Sequence, residues 1–162
     1  MRTIPLPHAR AALIDDCDYE YLMQWKWQFH TRKSTGYANR LGCVGGKRRR
    51  IYMHRLVADR IGMNAQNRDV DHVDGNGLNN QRNNLRLATR SQNNVNSKRP
   101  KNNTSGFKGV YPHAQVNKWC AQIGVEGRRL YLGYCDDPRE AASAYNEAAL
   151  KHYGEFACLN LV

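Results

Sequence analysis

The stretch Asp69-Val-Asp71-His72-Val-Asp74-Gly75-Asn76-Gly77-Leu-Asn79-Asn80-Gln-Arg82-Asn83-Asn84-Leu85-Arg86-Leu87-Ala88-Thr89-Arg90-Ser91-Gln92-Asn93-Asn94 decides how this chain is read. Val70–Val73 alternates apolar and polar side chains as a half-buried strand does. Asp74-Gly75-Asn76-Gly77 is turn chemistry. Leu85–Ala88 reads as a second short strand, and Thr89 reads as the N-cap of a helix running to about Asn96. The order is therefore strand, Asn-rich loop, strand, helix: a ββα unit.

That unit concentrates reactive side chains. An Asp carboxylate plus an Asn amide oxygen makes a hard oxygen site suited to Mg²⁺ or Mn²⁺. Neutral His72 is a candidate general base near pH 7. A metal beside a base, among cations, is the equipment for attacking a phosphodiester with water. The isolated Asn residues (76, 79, 83) read equally well as turn formers, and Asp71 and Asn84 share that reading.

The surrounding charge agrees with a polyanionic partner. The chain has 162 residues and a formal net charge of +11, with 41% hydrophobic residues. Residues 1–104 hold 19 basic and 8 acidic residues, whereas 105–162 hold six of each. Gly75–Thr104 contains Arg82, Arg86, Arg90, Lys98, Arg99 and Lys101 with no acid, and Lys47–Arg50 is a second basic run. Such runs favour nucleic acid, although a merely solvated basic face has the same composition. No run of about 18 apolar residues is present, so no membrane helix is expected. Met1–Ala12 lacks the apolar core of a secretory signal, and the expected compartment is the cytoplasm of a bacterium or of a phage-infected host cell. Five scattered cysteines without a CxxC make a disulfide framework or a structural zinc site unexpected.

Outward from the central unit, residues 1–53 read as a β-rich module. Its expected strands are Ile4–Leu6, Ala11–Ile14, Trp25–His30, Tyr37–Arg40 and Arg50–Met53, with a helical alternative for Asp18–Trp27. His54–Ile61 reads as a short helix stopped by Gly62. Residues 98–105 read as a linker. Beyond it, Phe107–Tyr111, Lys118–Val125 and Arg129–Tyr134 read as strands, with Gly127 in a tight turn. Asp137-Pro138-Arg139-Glu140 suggests a capping box opening a helix over Pro138–Tyr153, which Gly154 ends. Residues 105–134 carry net +3 and residues 135–162 net −3, so this half is expected to be basic on one face. Strand alternation puts Lys108, Lys118 or Trp119, Arg129 and Tyr131 on a face that fits a DNA major groove. The expected fold class is α+β, divided into a β-rich module (1–53), the ββα unit (54–97), a linker (98–105) and a sheet-plus-helix domain (106–162).

Two family resemblances sharpen this. Asp71-His72…Asn84-Leu85-Arg86…Asn93, with Met53-His54-Arg55-Leu56-Val57 ahead of it, resembles the HNH endonucleases of phages and mobile introns, whose fold is the ββα-metal (His-Me finger) unit. The resemblance implies that His72 activates the water, that Asp71 and Asn93 hold a single Mg²⁺ or Mn²⁺, and that Asn84 holds the His72 loop by hydrogen bonds. It implies a nicking or homing endonuclease acting on double-stranded DNA. With one metal centre a monomer nicks, and cutting both strands takes a dimer or two events. No cysteine knuckles flank the motif, and the last position is Asn93 rather than His. Gly106-Phe-Lys108-Gly-Val-Tyr111, Lys118-Trp119…Gln122, Arg129-Leu-Tyr131 and the closing Leu159-Asn160 resemble the Apetala/ethylene-response-factor DNA-binding domain. That resemblance implies a sheet lying in the major groove and braced by the helix. Tyr111, Gln122 and Gly124 stand where that family has Arg, often Glu, and Arg, so plant-type site preference is not implied. Residues 4–38 resemble a leader module seen ahead of such nucleases. The DNA-contacting candidates are Arg49, Arg50, His54, Arg55, Arg86, Lys108, Tyr111, Lys118, Trp119, Gln122, Arg129 and Tyr131; His54 reads equally well as a packing histidine at a helix start, and Trp119 and Tyr131 have sheet core as their alternative. Two rival classes remain: a non-catalytic DNA-binding regulator, which the Asp71/His72/Asn84/Asn93 set argues against, and an RNA-binding protein, which leaves that set unexplained.

Overall fold

Ile4 and Leu6 alternate with Thr3 and Pro5, so one face of the first strand is apolar and must be covered. In the computed structural model, which describes residues 1–32, 35–100 and 102–162, that strand β1 (Arg2–Leu6) pairs antiparallel with β2 (Arg10–Ile14). Helix α1 (Asp16–Leu22) follows. A three-stranded antiparallel sheet then forms from β3 (Gln28–Arg32), β4 (Thr35–Val44) and β5 (Lys47–Tyr52), with β4 in the middle. Helix α2 (Met53–Arg60) leads to β6 (Asp69–His72), which pairs antiparallel with β7 (Leu85–Ala88). Helix α3 (Arg90–Asn96) precedes a second three-stranded antiparallel sheet, β8 (Val110–His113), β9 (Lys118–Val125) and β10 (Arg128–Cys135), with β9 central. The last helix is α4 (Pro138–Tyr153). The fold is mixed α and β with antiparallel sheets. Among the described residues no helix is long and apolar enough to cross a membrane.

Two compact units divide the chain, Met1–Ala88 and Thr89–Val162. In the first, Ile4, Ile14, Leu22, Trp27, Met53, Val57, Val70 and Leu85 form one core. The N-terminal module and the β6–β7 hairpin therefore share a single interior. A buried ion cluster adds to it. Asp18 on α1 is fully buried and accepts from Arg82 Nε and Nη2 (2.7 and 2.8 Å) and from Arg60 Nε (3.0 Å). The Arg82 hydrogen bonds, joined by Arg60, overcome burial and hold the Asp18 carboxyl below the usual range.

In the second unit α4 lays Ala141, Ala142, Tyr145 and Ala149 on the sheet. Small side chains let helix and sheet approach closely. Gly109 has φ +75 and lies under the Tyr145 ring, where a Cβ would collide. Asn160 pins the C-terminal strap to the sheet by bonding the backbone N and O of Lys108 (2.7 and 3.1 Å).

Several element boundaries differ from expectation. β3 begins at Gln28 rather than Trp25, because Trp27 turns into the core and its indole donates to Leu22 O at 2.8 Å. β5 begins at Lys47 rather than Arg50. The pair Gly45-Gly46, both at positive φ, closes a tight hairpin that continues pairing through exposed basic residues with no apolar pattern. Of the two readings for Asp18–Trp27, a helix forms, over Asp16–Leu22. The first strand of the second sheet starts at Val110, not Phe107. The Asp137 carboxylate caps Arg139 N–H, whereas the reciprocal capping box forms at Thr89 and Gln92. The compact units divide at Ala88/Thr89, ahead of the segment 98–105. Within that segment Asn103 and Ser105 donate to the carbonyls of Phe107 and Val110, and Lys101 lies outside the described residues.

Candidate active site

His72 ends β6, opposite Leu85, and Asp71 sits opposite Arg86. Both Asp71 and His72 are buried. Arg86 Nε donates to Asp71 Oδ2 at 3.1 Å, so the cross-strand pair fixes the carboxylate. Arg86, expected to contact DNA, is thus engaged with Asp71 and largely covered.

The loop after His72 is a network of Asn and Asp side chains. Asn84 uses both ends of its amide. Its Oδ1 accepts from Asp74 N–H (3.1 Å), and its Nδ2 donates to Asp74 Oδ1 (3.0 Å) and Asn79 O (2.8 Å). Asp74 also accepts from Asn76 N–H and Asn79 Nδ2. Burial raises the Asp74 pKa, but the bonds from Asn79, Asn76 and Asn84 outweigh it and keep the carboxyl below its ordinary range. Asn76 and Asn79 each accept from a backbone N–H two residues ahead, as turn formers do.

Asn80 is the residue that sequence reasoning missed. It is completely buried, and its Oδ1 lies 3.2 Å from His72 Nε2. Its Nδ2 donates to Leu78 O (3.2 Å) and reaches Met53 Sδ. With the amide oxygen facing the ring, Nε2 carries the proton and the basic lone pair belongs to Nδ1. Burial lowers the His72 pKa against the opposing pull of Asn80, Asp71 and Asp74, so the ring is neutral near pH 7. Nothing in the spacing separates Asn80 from its neighbouring Asn residues; only its burial does.

The N-terminal hairpin backs this loop. Leu13 N–H donates to Leu78 O and Asn80 N–H donates to Leu13 O, both at 2.8 Å. Asp15 accepts from Arg82 N–H at 2.8 Å. The leader module thus supports the loop that orients His72.

Of the two readings of His54, the packing one fits the structure and the DNA-contact one does not: it is 8% exposed, stacked on Tyr52 and edge-on to the His72 ring at 5.0 Å. Burial, then the neighbouring His72 and Arg55, push its pKa well down. Its Nδ1 has no hydrogen-bond partner among the described residues. Arg49, Arg50 and Arg55 are exposed, as a DNA-contacting role requires. Asp71, His72, Asn80 and Asn84 belong to the first unit. Asn93 is half-buried on α3 in the second, in the turn that its N–H closes onto Thr89 O.

The donor types fit a hard divalent cation. Among the described residues no group of three or more His, Cys, Asp or Glu side chains could hold a metal. Asp74 is already committed to three donors. One carboxylate plus one amide oxygen matches a cation that keeps water and takes substrate phosphate as its remaining ligands. It does not match the closed thiolate and imidazole set of structural zinc.

In the second unit, register assigns faces. Trp119 lies opposite Pro112 and Cys135 and packs with Val110, Ala121 and Ala141 on the helix side. It is therefore core, and its place among the DNA-contacting candidates is corrected. Tyr111, Lys118, Gln122, Arg129 and Tyr131 share the opposite face. Lys118 pairs with Asp136 at 3.1 Å on the surface. Lys108 is a second correction. It precedes β8, and its ammonium turns onto the carbonyls of Val95 and Ser97 at the end of α3. Burial lowers its pKa to about 8.

Residues 52–95 match the family model described as HNH endonuclease. The chain is 43% identical over 60 residues to Protein 3.8 of Escherichia phage T7, covering 37% of this chain and 50% of that protein. It is 38% identical over 93 residues to the Uncharacterized HNH endonuclease L560 of Acanthamoeba polyphaga mimivirus, covering 57% and 47%. The C-terminal region is similar to Dehydration-responsive element-binding protein 2D of Arabidopsis thaliana, 47% identical over 64 residues, or 38% of this chain and 31% of that protein. The chain spans about half the length of the phage and viral relatives. The chain thus joins a segment similar to HNH endonucleases to a C-terminal region similar to AP2/ERF proteins.

Proposed function

We propose that this chain is a metal-dependent DNA endonuclease of the HNH type that hydrolyses a phosphodiester bond, nicking duplex DNA in a phage or mobile-element setting. The observation that carries the reading is the orientation of His72, a buried neutral imidazole whose Nε2–H is directed at Asn80. Its Nδ1 takes a proton from water, the resulting hydroxide adds to phosphorus, the P–O3′ bond breaks, and the departing O3′ takes a proton from solvent water. The products are a 5′-phosphate and a 3′-hydroxyl. Asn84 holds the loop, and the Arg86–Asp71 pair presents the carboxylate. Asp71 and Asn93 are the residues that would hold Mg²⁺ or Mn²⁺. A bound divalent ion supplies charge neutralisation at the phosphate and the departing oxygen. Residues 54–97 are assigned to cleavage and 106–162 to DNA contact through Tyr111, Lys118, Gln122, Arg129 and Tyr131. Arg49, Arg50 and Arg55 are assigned to the backbone.

The test is relaxation of supercoiled plasmid with Mg²⁺ and with EDTA, for the wild type and His72→Ala. Nicking that needs the metal and is lost in the variant supports the reading. DNA binding without cleavage under all conditions leaves a DNA-binding regulator instead.

A further inference from the structure

Helix α3 is seven residues long, well below the length at which a helix holds itself in water, and its last carbonyls have no partner within the helix. Its N-terminus is closed locally by the Thr89–Gln92 capping box. Two further anchors come from the C-terminal region. Lys108 bends its ammonium onto the carbonyls of Val95 and Ser97, a cation placed at the negative end of the helix. At the end of α4, the Tyr153 hydroxyl lies 2.7 Å from Ser91 Oγ and donates to Gly124 O on β9. A phenol has one proton, so Ser91 is the donor to Tyr153. Val95 and Asn96 are buried, and α3 packs against α4, β9 and the turn Gly154–Phe156. All of this lies inside the unit Thr89–Val162. The match to the HNH endonuclease model stops at residue 95, so Lys108 and Tyr153 both stand outside the nuclease segment whose last helix they hold.

We infer that Lys108 and Tyr153 are positioning residues for Asn93: the C-terminal region, besides meeting DNA, fixes the helix whose Asn93 amide is assigned to the divalent ion. The inference rests on that assignment. Ser91 and Val95, the two anchored residues, flank Asn93 two positions to either side. An amide oxygen is a neutral, weak ligand, and the entropy of ordering it subtracts from a small binding energy. Fixing the backbone on both sides of Asn93 removes that cost before the ion arrives. A short helix released at either end frays and presents the amide only part of the time. Lysine suits the C-terminal anchor, because three donors on a long stem reach two carbonyls at once.

The experiment uses the full chain in the His72→Ala background, so that a mixed-sequence duplex stays intact. Mn²⁺ uptake by the protein–duplex complex is read from the EPR signal of free Mn²⁺, duplex affinity from anisotropy in EDTA, and the order of α3 from hydrogen exchange of its amides. Lys108→Met keeps the stem and removes the cation. It should weaken Mn²⁺ binding by roughly 10- to 100-fold, as loss of an outer-shell partner does. Exchange of the α3 amides should quicken by roughly tenfold or more. Duplex affinity should move by less than about twofold, because this ammonium is spent on carbonyls rather than phosphates. Lys108→Arg still donates to both carbonyls and should recover most of the Mn²⁺ affinity. Tyr153→Phe should weaken Mn²⁺ binding by about 2- to 10-fold, the worth of one hydrogen bond. If Lys108→Met unfolds the chain, Tyr153→Phe decides by the same readings. The inference is overturned if the folded variants keep wild-type Mn²⁺ affinity, if duplex affinity falls as far as Mn²⁺ affinity, or if Lys108→Arg behaves as Lys108→Met does. Asn93→Ala with undiminished Mn²⁺ affinity would instead strike the metal assignment of the proposed function, and α3 exchange in Lys108→Met would then report the anchoring by itself.

Discussion

The Asp71–Leu85 loop and the outer face of β8–β10 use polar residues in opposite ways. In the loop nearly every amide and carboxylate is spent on a neighbour: Asn84 on Asp74 and Asn79, Asn80 on His72, Asp74 on three donors. On the sheet face Tyr111, Lys118, Arg129 and Tyr131 stand exposed, with one surface ion pair between Lys118 and Asp136 described. On the proposed function the difference follows from the work: a base must be oriented before substrate arrives, because orientation supplied in advance costs nothing during the reaction. A contact surface must keep its donors and rings available for a partner.

The largest expected effect breaks the loop at its centre. His72→Ala should lower plasmid nicking by about 10²–10⁴-fold or more while duplex affinity in EDTA barely moves. Next comes the support beneath the loop. Asp18→Ala leaves Arg82 and Arg60 without their buried acceptor and should cost about 3 kcal/mol in urea unfolding, the low end for buried pairs because both arginines are about a third exposed. The pH dependence follows from the same group. The folded pKa of Asp18 lies below its unfolded value, so its contribution is complete above about pH 4 and is lost as pH falls through the folded pKa. Asp18→Ala should show a flatter stability curve below pH 4; equal acid sensitivity in both proteins would remove Asp18 from the account. Third, Asn80→Leu removes the acceptor for Nε2–H and should lower the nicking rate about 10- to 100-fold, as loss of an orienting partner does elsewhere. An unchanged rate would show that the Asn80 bond does not set the tautomer. The smallest effect falls on the exposed face. If Arg129 contacts phosphate, Arg129→Ala should reduce the salt slope of DNA binding by about one unit. A loss that varies with DNA sequence at constant slope would assign Arg129 to base reading.

Much of the fold was legible where local chemistry is strong. Thr89, Gly127 and Pro138 after Asp137 mark the start of α3, the β9–β10 hairpin and the start of α4, because caps and tight turns are decided within four residues. The cluster Asp71, His72 and Asn84 is legible as chemistry from the residue types, and the structure places Asp71, His72 and Asn84 in one unit with Asn84 bonded within the loop. What escaped is non-local. Asp18 finds Arg82 64 residues away, and the leader braces the loop through Leu13 backbone bonds that carry no side-chain signature. Alternation puts Lys108 on the outer face and leaves Lys118 or Trp119 open there. Register put Trp119 on the other side of β9, and Lys108 lies ahead of the strand, where alternation does not apply. For His54 the sequence leaves phosphate contact and packing equally open, and α2 turns it inward toward His72.

The Asp18–Arg82 contact also sets a timetable for synthesis. Asp18 leaves the ribosome 64 residues before its bidentate partner. At about 5–20 residues per second, α1 waits roughly 3 to 13 s for the cations that neutralise its buried carboxylate. Over that interval the N-terminal hairpin has neither the 78–80 loop that pairs with Leu13 nor Leu85 to complete its core. The N-terminal hairpin can therefore complete its native contacts only after residues 78–85 have been made.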